Sequence, residues 1–326
     1  MPKGRKPVKC AVVTICAEIY YLPLIFPLME AHVAMRLFVT GAASFIGTQL
    51  LRQSAAKGVD VVGIDIHPSP GIRAADIRNG NIGDLIPEAA DAVIHLAALS
   101  RDADCQNKGY ACFDVNVMGT LNLMRAAQAR NVRQFIFASS EWVYDSFVPG
   151  VDKTEDDAID ASRLTSEYAF SKYVSENNLR QKYQHGFCAT TILRFGIVYG
   201  SRRENWSAVE SLFNSVATKD EVTVGSRATG RRFVHVSDVA GAILASLGTS
   251  GFEVVNVQGS RMITLGEIID TSAQLLGRSP KVKETAPDSP NVRPVSAAKA
   301  ERLWGWRARI GLGEGLSSLK AHLFPA

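Results

Sequence analysis

Cysteine is scarce in this 326-residue chain, and the little there is forms no framework. Cys10, Cys16, Cys105, Cys112 and Cys188 make no C-x-x-C pair, and no His stands near them at ligand spacing. An odd count without that spacing points away from a disulfide scaffold and from a zinc site, so no metal is expected. A reducing, cytoplasmic setting is the natural reading. Positive charge is not concentrated either. Lys and Arg number 36 against 32 Asp and Glu, a formal net charge of +4, and the two signs are interspersed. Without a basic stripe there is no footprint for nucleic acid. No internal repeat or low-complexity tract occurs. A long, clean apolar run is also missing. Cys10 to Met29, after Lys3, Arg5, Lys6 and Lys9, comes nearest, but Glu18, Pro23 and Pro27 interrupt it. It falls short of the span of about 20 apolar residues that crosses a bilayer. Residues 1–34 therefore read as an atypical extension or an over-extended start, with a targeting or membrane-associating segment as the alternative.

What is present is an ordinary globular composition, 46% apolar and 21% charged, enough for a sizeable core. From Met35 onward short apolar strands alternate with helices. Strands are predicted at 36–40, 60–65, 72–77, 91–95, 132–139 and 189–195. Helices are predicted from the turn at Gly41–Gly47 to about Lys57, over 113–130, and over 160–184. That alternation implies an α/β fold, a doubly wound parallel sheet of the Rossmann type. It decays after about residue 200, where Gly and Pro become frequent. The division expected is a nucleotide-binding domain over 35–195, with a contribution from about 230–248, and a smaller substrate-binding lobe over most of 196–326.

Two local patterns carry chemistry. After the first strand, Gly41, Ser44 and Gly47 fall three apart immediately before a helix. Small residues let the backbone approach a pyrophosphate, whose charge suits a helix N-terminus. Asp65 ends the second strand, where an acid accepts from a ribose 2′-hydroxyl and repels a 2′-phosphate, favouring NAD over NADP. The second pattern is Tyr168 with Lys172, four apart on one helix face. An ammonium beside a phenol favours the phenolate and lowers its pKa. Ser139 and Ser140 end an apolar strand upstream, so a hydroxyl there could orient a substrate alcohol. The pair by itself is a common helix-surface coincidence and gains meaning only from its company. Other conspicuous residues read as structural: His95 and His235 in apolar strands, Trp304 and Trp306 as packing in the smaller lobe, Asp238 as a helix cap.

Several ordered stretches together resemble the extended short-chain dehydrogenase/reductases, specifically the NAD-dependent epimerase/dehydratase group. Thr40-Gly-Ala-Ala-Ser-Phe-Ile-Gly47 is similar to the T-G-x-x-G-F-I-G turn, with Ser44 in place of the middle Gly. Ala75-Asp76-Ile77 resembles the adenine-contacting segment, and His95-Leu96-Ala97-Ala98 the stretch lining the cofactor. Asn116 matches a helix Asn that supports the proton path to the Lys. Ser139-Ser140-Glu141-Trp142-Val143-Tyr144 resembles the S-S-x-x-V-Y motif. Leu193-to-Gly200 and Arg231-to-Asp238 match two later stretches. The resemblance implies Tyr168 as acid/base, Lys172 as its modulator and a ribose contact, and Ser140 as the orienting hydroxyl. Phe45 and Ile46 would join the turn glycines at NAD. Arg231 would face the diphosphate of a nucleotide-sugar substrate, with Arg232 competing for that role. It also implies a homodimer built on the helices over 113–130 and 160–184. Two departures stand out: Ile197 where the family often has Asn, and Asp145 where Gly is usual after Val-Tyr.

The group's dehydratases resemble one another in a Thr-Asp-Glu triplet, but this chain offers Ser140-Glu141-Trp142, one acid rather than two. Glu141 is kept as a second acid or substrate contact, with a pocket-rim residue as the plainer reading. A decarboxylase-like Glu is replaced by Trp142. The expected activity is therefore NAD-dependent epimerisation of a nucleotide sugar through a transient ketone. The alternatives are a net NAD-dependent oxidoreductase of a sugar or other small alcohol, or a non-catalytic NAD-binding regulatory protein.

Overall fold

The computed structural model of the protein describes residues 35–325 except Ala89 and Pro149. The extension at 1–34 lies outside the described residues. Seven parallel strands form the central sheet. In chain order, β1 (Arg36–Thr40), α1 (Phe45–Ala56), β2 (Asp60–Asp65), β3 (Ile72–Ala74) and β4 (Ala92–His95) come first. A π-helical turn at Asp114–Gly119 leads into α2 (Thr120–Ala129), followed by β5 (Gln134–Ser140), α3 (Glu167–Gln184) and β6 (Ala189–Phe195). Then come α4 (Ala208–Thr218), α5 (Val236–Ala245), β7 (Phe252–Val257), α6 (Leu265–Leu276) and α7 (Leu312–Leu323). The spatial order is β7-β6-β5-β4-β1-β2-β3, a doubly wound α/β arrangement.

Strand alternation builds a core on each face. Leu37, Val39, Ile94, Ile136 and Leu193 pack on one side with Ala240 and Ile243 of α5. Phe38, Val93, Phe135, Phe137 and Ile192 pack on the other with Leu123 of α2 and Leu179 of α3. Covering both faces is what a parallel sheet requires. A separate cluster, including Tyr199, Val209, Phe213, Phe233, Ile268 and Leu316, gathers residues from the part of the chain where the smaller lobe is expected.

Some boundaries differ from the sequence expectation, each for a local reason. β3 stops at Ala74, before Asp76, whose carboxylate accepts from the Arg78 backbone and side chain. α3 begins at Glu167 rather than near 160, because Ser166 is extended and caps the Ala169 N–H at 3.2 Å. β7 comes from beyond residue 248, yet it pairs with β6 over its whole length. Trp304 and Trp306, expected in the smaller lobe, pack against the core of the main sheet. Asp238 does not cap its helix. His235 takes that position, and the Asp238 carboxylate accepts from the N–H groups of Arg309 and Ile310. Among the described residues no helix is long and apolar enough to cross a membrane.

A buried ion pair fastens α3 to the sheet. Arg194 on β6 donates to Glu176 on α3 at 2.7 Å, and each is 5% exposed. The Ser139 hydroxyl also donates to Glu176, and Arg194 reaches the Tyr144 hydroxyl at 3.1 Å. Removing one partner strands a buried charge, which costs about 3–5 kcal/mol. Arg194→Met should therefore lower the free energy of unfolding in urea by about that amount. Glu176→Leu combined with Arg194→Met should recover most of it. A single variant as stable as the parent would refute the assignment.

Candidate active site

One cavity of about 620 Å³ opens at the C-terminal ends of the strands, between the sheet and residues 195–208. Ser44, Phe45, Ile46, Leu96, Ala98, Ser140, Tyr168 and Lys172, all singled out from sequence, line it together.

The turn before α1 is shaped by what cannot fit there. Gly41 has φ +70°, and a Cβ would stand 2.7 Å from the Ala97 nitrogen. At Gly47 a Cβ would lie 2.3 Å from the Gly41 carbonyl oxygen. Ser44 is accommodated by an ordinary extended conformation, φ −67° and ψ 169°, as the N-cap of α1, its Oγ accepting from the Gly47 N–H at 3.1 Å. The N–H groups of Phe45 and Ile46 make no bond among the described residues. They are two open donors at the positive end of a helix, facing the cavity. The Asp65 carboxylate braces the turn, accepting from the Ala43 and His67 N–H groups at 3.0 Å each. These residues fit a dinucleotide: Phe45 and Ile46 for the diphosphate, Asp65 for a ribose. Ala97 donates to Thr40 Oγ1 at 3.3 Å. Asp76 and Ile77 are not brought to the cavity wall. Asp76 is held by Arg78, and Ile77 is buried against Gly119.

α3 and β5 bring Tyr168, Lys172 and Ser140 to the cavity. Tyr168 is 9% exposed. Burial pushes its phenol up to about 12, with the Ser140 hydroxyl pulling the other way. Lys172 donates from Nζ to the Ala138 carbonyl at 2.7 Å and stands 5.9 Å from the centroid of the Tyr168 ring. Burial pulls its ammonium down to about 8. The sequence expectation of a phenol lowered by Lys172 is thus reversed within the protein itself, because desolvation disfavours both charged forms. Of the two serines, Ser139 is committed to Glu176, while Ser140 caps the Trp142 N–H at 3.2 Å. Asn116 lies in the π-helical turn, a feature frequent at functional sites. Its side chain joins Leu99, at 2.8 and 3.0 Å, to the Ser171 hydroxyl, at 2.9 Å, rather than touching Lys172. His95 bridges Thr40 and Thr120, and burial pulls it down to about 3, so it stays neutral.

Glu141 and Arg231 are not on the cavity wall. Trp142, between Ser140 and Val143, takes that place. Glu141 is 1% exposed, with Oε1 unpartnered. The Gln258 amide, turned to accept from the Gly196 N–H, donates to its Oε2 at 3.1 Å. Burial pushes the Glu141 carboxyl up to about 7, opposed by Arg231 and Arg293. Arg231 is spent on Gly230 and Asn291 carbonyls, and Arg232 on Asp152 and Ser260. Arg293 stacks 5.4 Å from the Trp142 ring centroid. Ile197 faces the cavity, as do Arg202, Asn205 and Trp206, which the sequence reading passed over. Only Arg202 carried a signal, as a cation just after Tyr199-Gly200. Asp145 accepts from the Asp160 N–H at 3.2 Å.

The profile of the NAD dependent epimerase/dehydratase family matches residues 37–257. The chain is 28% identical to a putative UDP-glucose 4-epimerase of Methanocaldococcus jannaschii over 86% of its length and 95% of that protein's. It is 26% identical to a UDP-glucuronate 4-epimerase of Thermodesulfobacterium geofontis, covering 85% and 93%. The crystal structure of the Thermus thermophilus UDP-glucose 4-epimerase in complex with NAD aligns with a TM-score of 0.78 and 26% identity, over 90% of this chain and 100% of that one.

The raised pKa of Glu141 gives a measurable signature. Between about 4.5 and 7 the unfolded chain has lost this proton and the folded one keeps it, so folding stability falls as pH rises. By pH 7 the loss reaches about 3 kcal/mol. Glu141→Gln should remove this fall while leaving the low-pH stability unchanged. Parallel stability curves for the two proteins between pH 4.5 and 7 would sink the assignment.

Proposed function

The chain belongs to the NAD dependent epimerase/dehydratase family, and we propose that it is an NAD-dependent epimerase of a nucleotide sugar. The observation that carries this reading is the meeting of Ser140, Tyr168 and Lys172 in one cavity with the open N-terminus of α1. When bound, NAD supplies uptake and return of hydride, and its cationic ring adds the positive charge that a phenolate in this buried pocket requires. The chain's own residues handle the proton. The Tyr168 phenolate takes it from a sugar hydroxyl that Ser140 orients, and the resulting phenol returns it after the ketone has turned over. Lys172, anchored on Ala138, holds its positive charge beside the ring. Asn116 acts at a distance, fixing the loop after β4 against α3. Asp65 and the Gly41–Gly47 turn place the cofactor.

The relatives' names support a nucleotide-sugar substrate. Trp142 and Ile197 give this cavity an apolar wall, suited to the C–H face of a sugar ring. Exposed Met118 and Phe170, on the π-helical turn and α3, support a homodimer through these helices.

Two measurements test the reading. Tyr168→Phe should lower epimerisation by about 10²–10⁴-fold with NAD binding intact; an unchanged rate would remove Tyr168 from the chemistry. The parent enzyme should interconvert sugars without NADH building up at steady state. Stoichiometric NADH release would favour the net oxidoreductase instead. For the assembly, light scattering should report a dimer that Phe170→Glu with Met118→Glu converts to monomer. A monomeric parent would exclude the interface.

A further inference from the structure

The stretch that follows β4 ties the cavity wall to the helix that carries Tyr168. Ser100, Arg101, Asp102 and Asp104 line one side of the cavity, and Asn205 and Trp206 belong to the wall formed by residues 195–208. The Asp102 carboxylate accepts from the Ser166 hydroxyl, and that hydroxyl accepts in turn from the Ala169 N–H at 3.2 Å. Ser166 is the N-cap of α3, so Tyr168 stands in the first turn that this chain of bonds closes. The Asn107 N–H donates to the Glu167 carboxylate at 3.2 Å, a second tie to the same turn. Leu99, fixed at both backbone groups by Asn116, and Cys105 pack with Tyr168 itself. Arg101 extends the stretch across the cavity. Its Nε donates to Asp104 at 2.8 Å, and its Nη1 donates to the Asn205 side chain. Asn205 takes that place in the left-handed region, at φ +56°, which Asn tolerates better than most side chains.

We propose that Asp102 is a positioning residue for Tyr168, holding the first turn of α3 through Ser166, and that Arg101 carries this hold across the cavity to Asn205. The role rests on the reading of Tyr168 as the acid/base. A helix is least secure in its first turn, where the backbone N–H groups lack intrahelical partners. Tyr168 sits there, one turn short of the anchor that Lys172 makes on the Ala138 carbonyl. Its placement against Ser140 therefore depends on the cap. A carboxylate is favourably placed at a helix N-terminus. Its bond to the Ser166 hydroxyl also turns the oxygen lone pairs toward the Ala169 N–H. Proton transfer needs heavy atoms within about 2.6–3.2 Å of each other. A loosened first turn thus slows the reaction without disturbing the cofactor turn before α1. The contact with Asn205 adds a dependence on substrate, because a ligand resting on the wall of residues 195–208 also bears on the phenol.

Amide hydrogen exchange and steady-state kinetics test the role together. In Asp102→Ala, exchange at Ala169 and Phe170 should quicken by about tenfold, the loss of one hydrogen bond, while Leu179 keeps the parent's rate. The kcat should fall by about ten- to a hundredfold, with KM and NAD affinity unchanged. Asp102→Asn, which keeps the accepting oxygen without the charge, should restore most of kcat. Arg101→Met should lower kcat less. Combined with Asp102→Ala it should add nothing to the loss, since both act along one path. Parent-like kcat and exchange in Asp102→Ala would overturn the assignment. So would a loss carried by KM, or an Asn variant as slow as the Ala one. Losses that multiply in the double variant would overturn the link to Asn205. Tyr168→Phe separates the two levels of the reading. An unchanged rate there removes the acid/base itself, whereas a slow Tyr168→Phe beside a fast Asp102→Ala refutes the positioning role alone.

Discussion

Glu176 and Arg194 meet at 2.7 Å in a place water scarcely reaches, and that contact sets the register of α3 against β5 and β6. Tyr168, Lys172 and Glu176 are spaced by four along α3 and share one face. Glu176 is locked to Arg194 and Ser139, and Lys172 to the Ala138 carbonyl. Tyr168, one further turn along, is then delivered to the end of β5, where Ser140 stands. A close-packed interior shifts little in response to local change. The relation between phenol and serine hydroxyl is thus inherited from charges two turns away, off the cavity wall.

The fold was legible in the sequence where its determinants are local. β1, the turn, α1 and β2 follow one another within thirty residues, and each is specified by its own apolar run, glycine or acid. Ser140, Tyr168 and Lys172 could be singled out for the same reason: helix spacing and the end of an apolar strand are visible in one dimension. Boundaries were less legible where a side chain sets them, as Asp76 ends β3 and Ser166 delays α3. Long-range placements left no trace. Nothing in Phe252–Val257 says that it will pair with β6, and nothing around Trp304 says that it will reach back to the main sheet. The direction of the Tyr168 shift was misjudged because the sequence shows the neighbouring ammonium but not the depth of burial.

The two sides of the cavity use polar groups differently. On the sheet side Ser140, Tyr168 and Lys172 are buried and individually held. On the lobe side the charges form networks that point away from the cavity or hold one another, as Glu141 with Gln258 and Glu210 with Arg202. Trp142 separates the first of these networks from the cavity, with Arg293 stacked on it. The sequence pattern kept Glu141 as a second acid or substrate contact and put Trp142 where a decarboxylase-like Glu would stand. The structure gives the wall to the indole and the interior to the carboxylate.

The late position of β7 in the chain also bears on how the protein is made. When a ribosome has released residues up to Phe195, six strands are available but β6 is the outer edge, with a row of unpaired backbone groups. Some sixty more residues, including much of the smaller lobe, must emerge before Phe252–Val257 can cover that edge. A bare edge strand of high β-propensity invites pairing with another chain. The nascent protein therefore passes through an interval in which its most buried sheet is its most adhesive surface, and that interval ends only when the last strand docks.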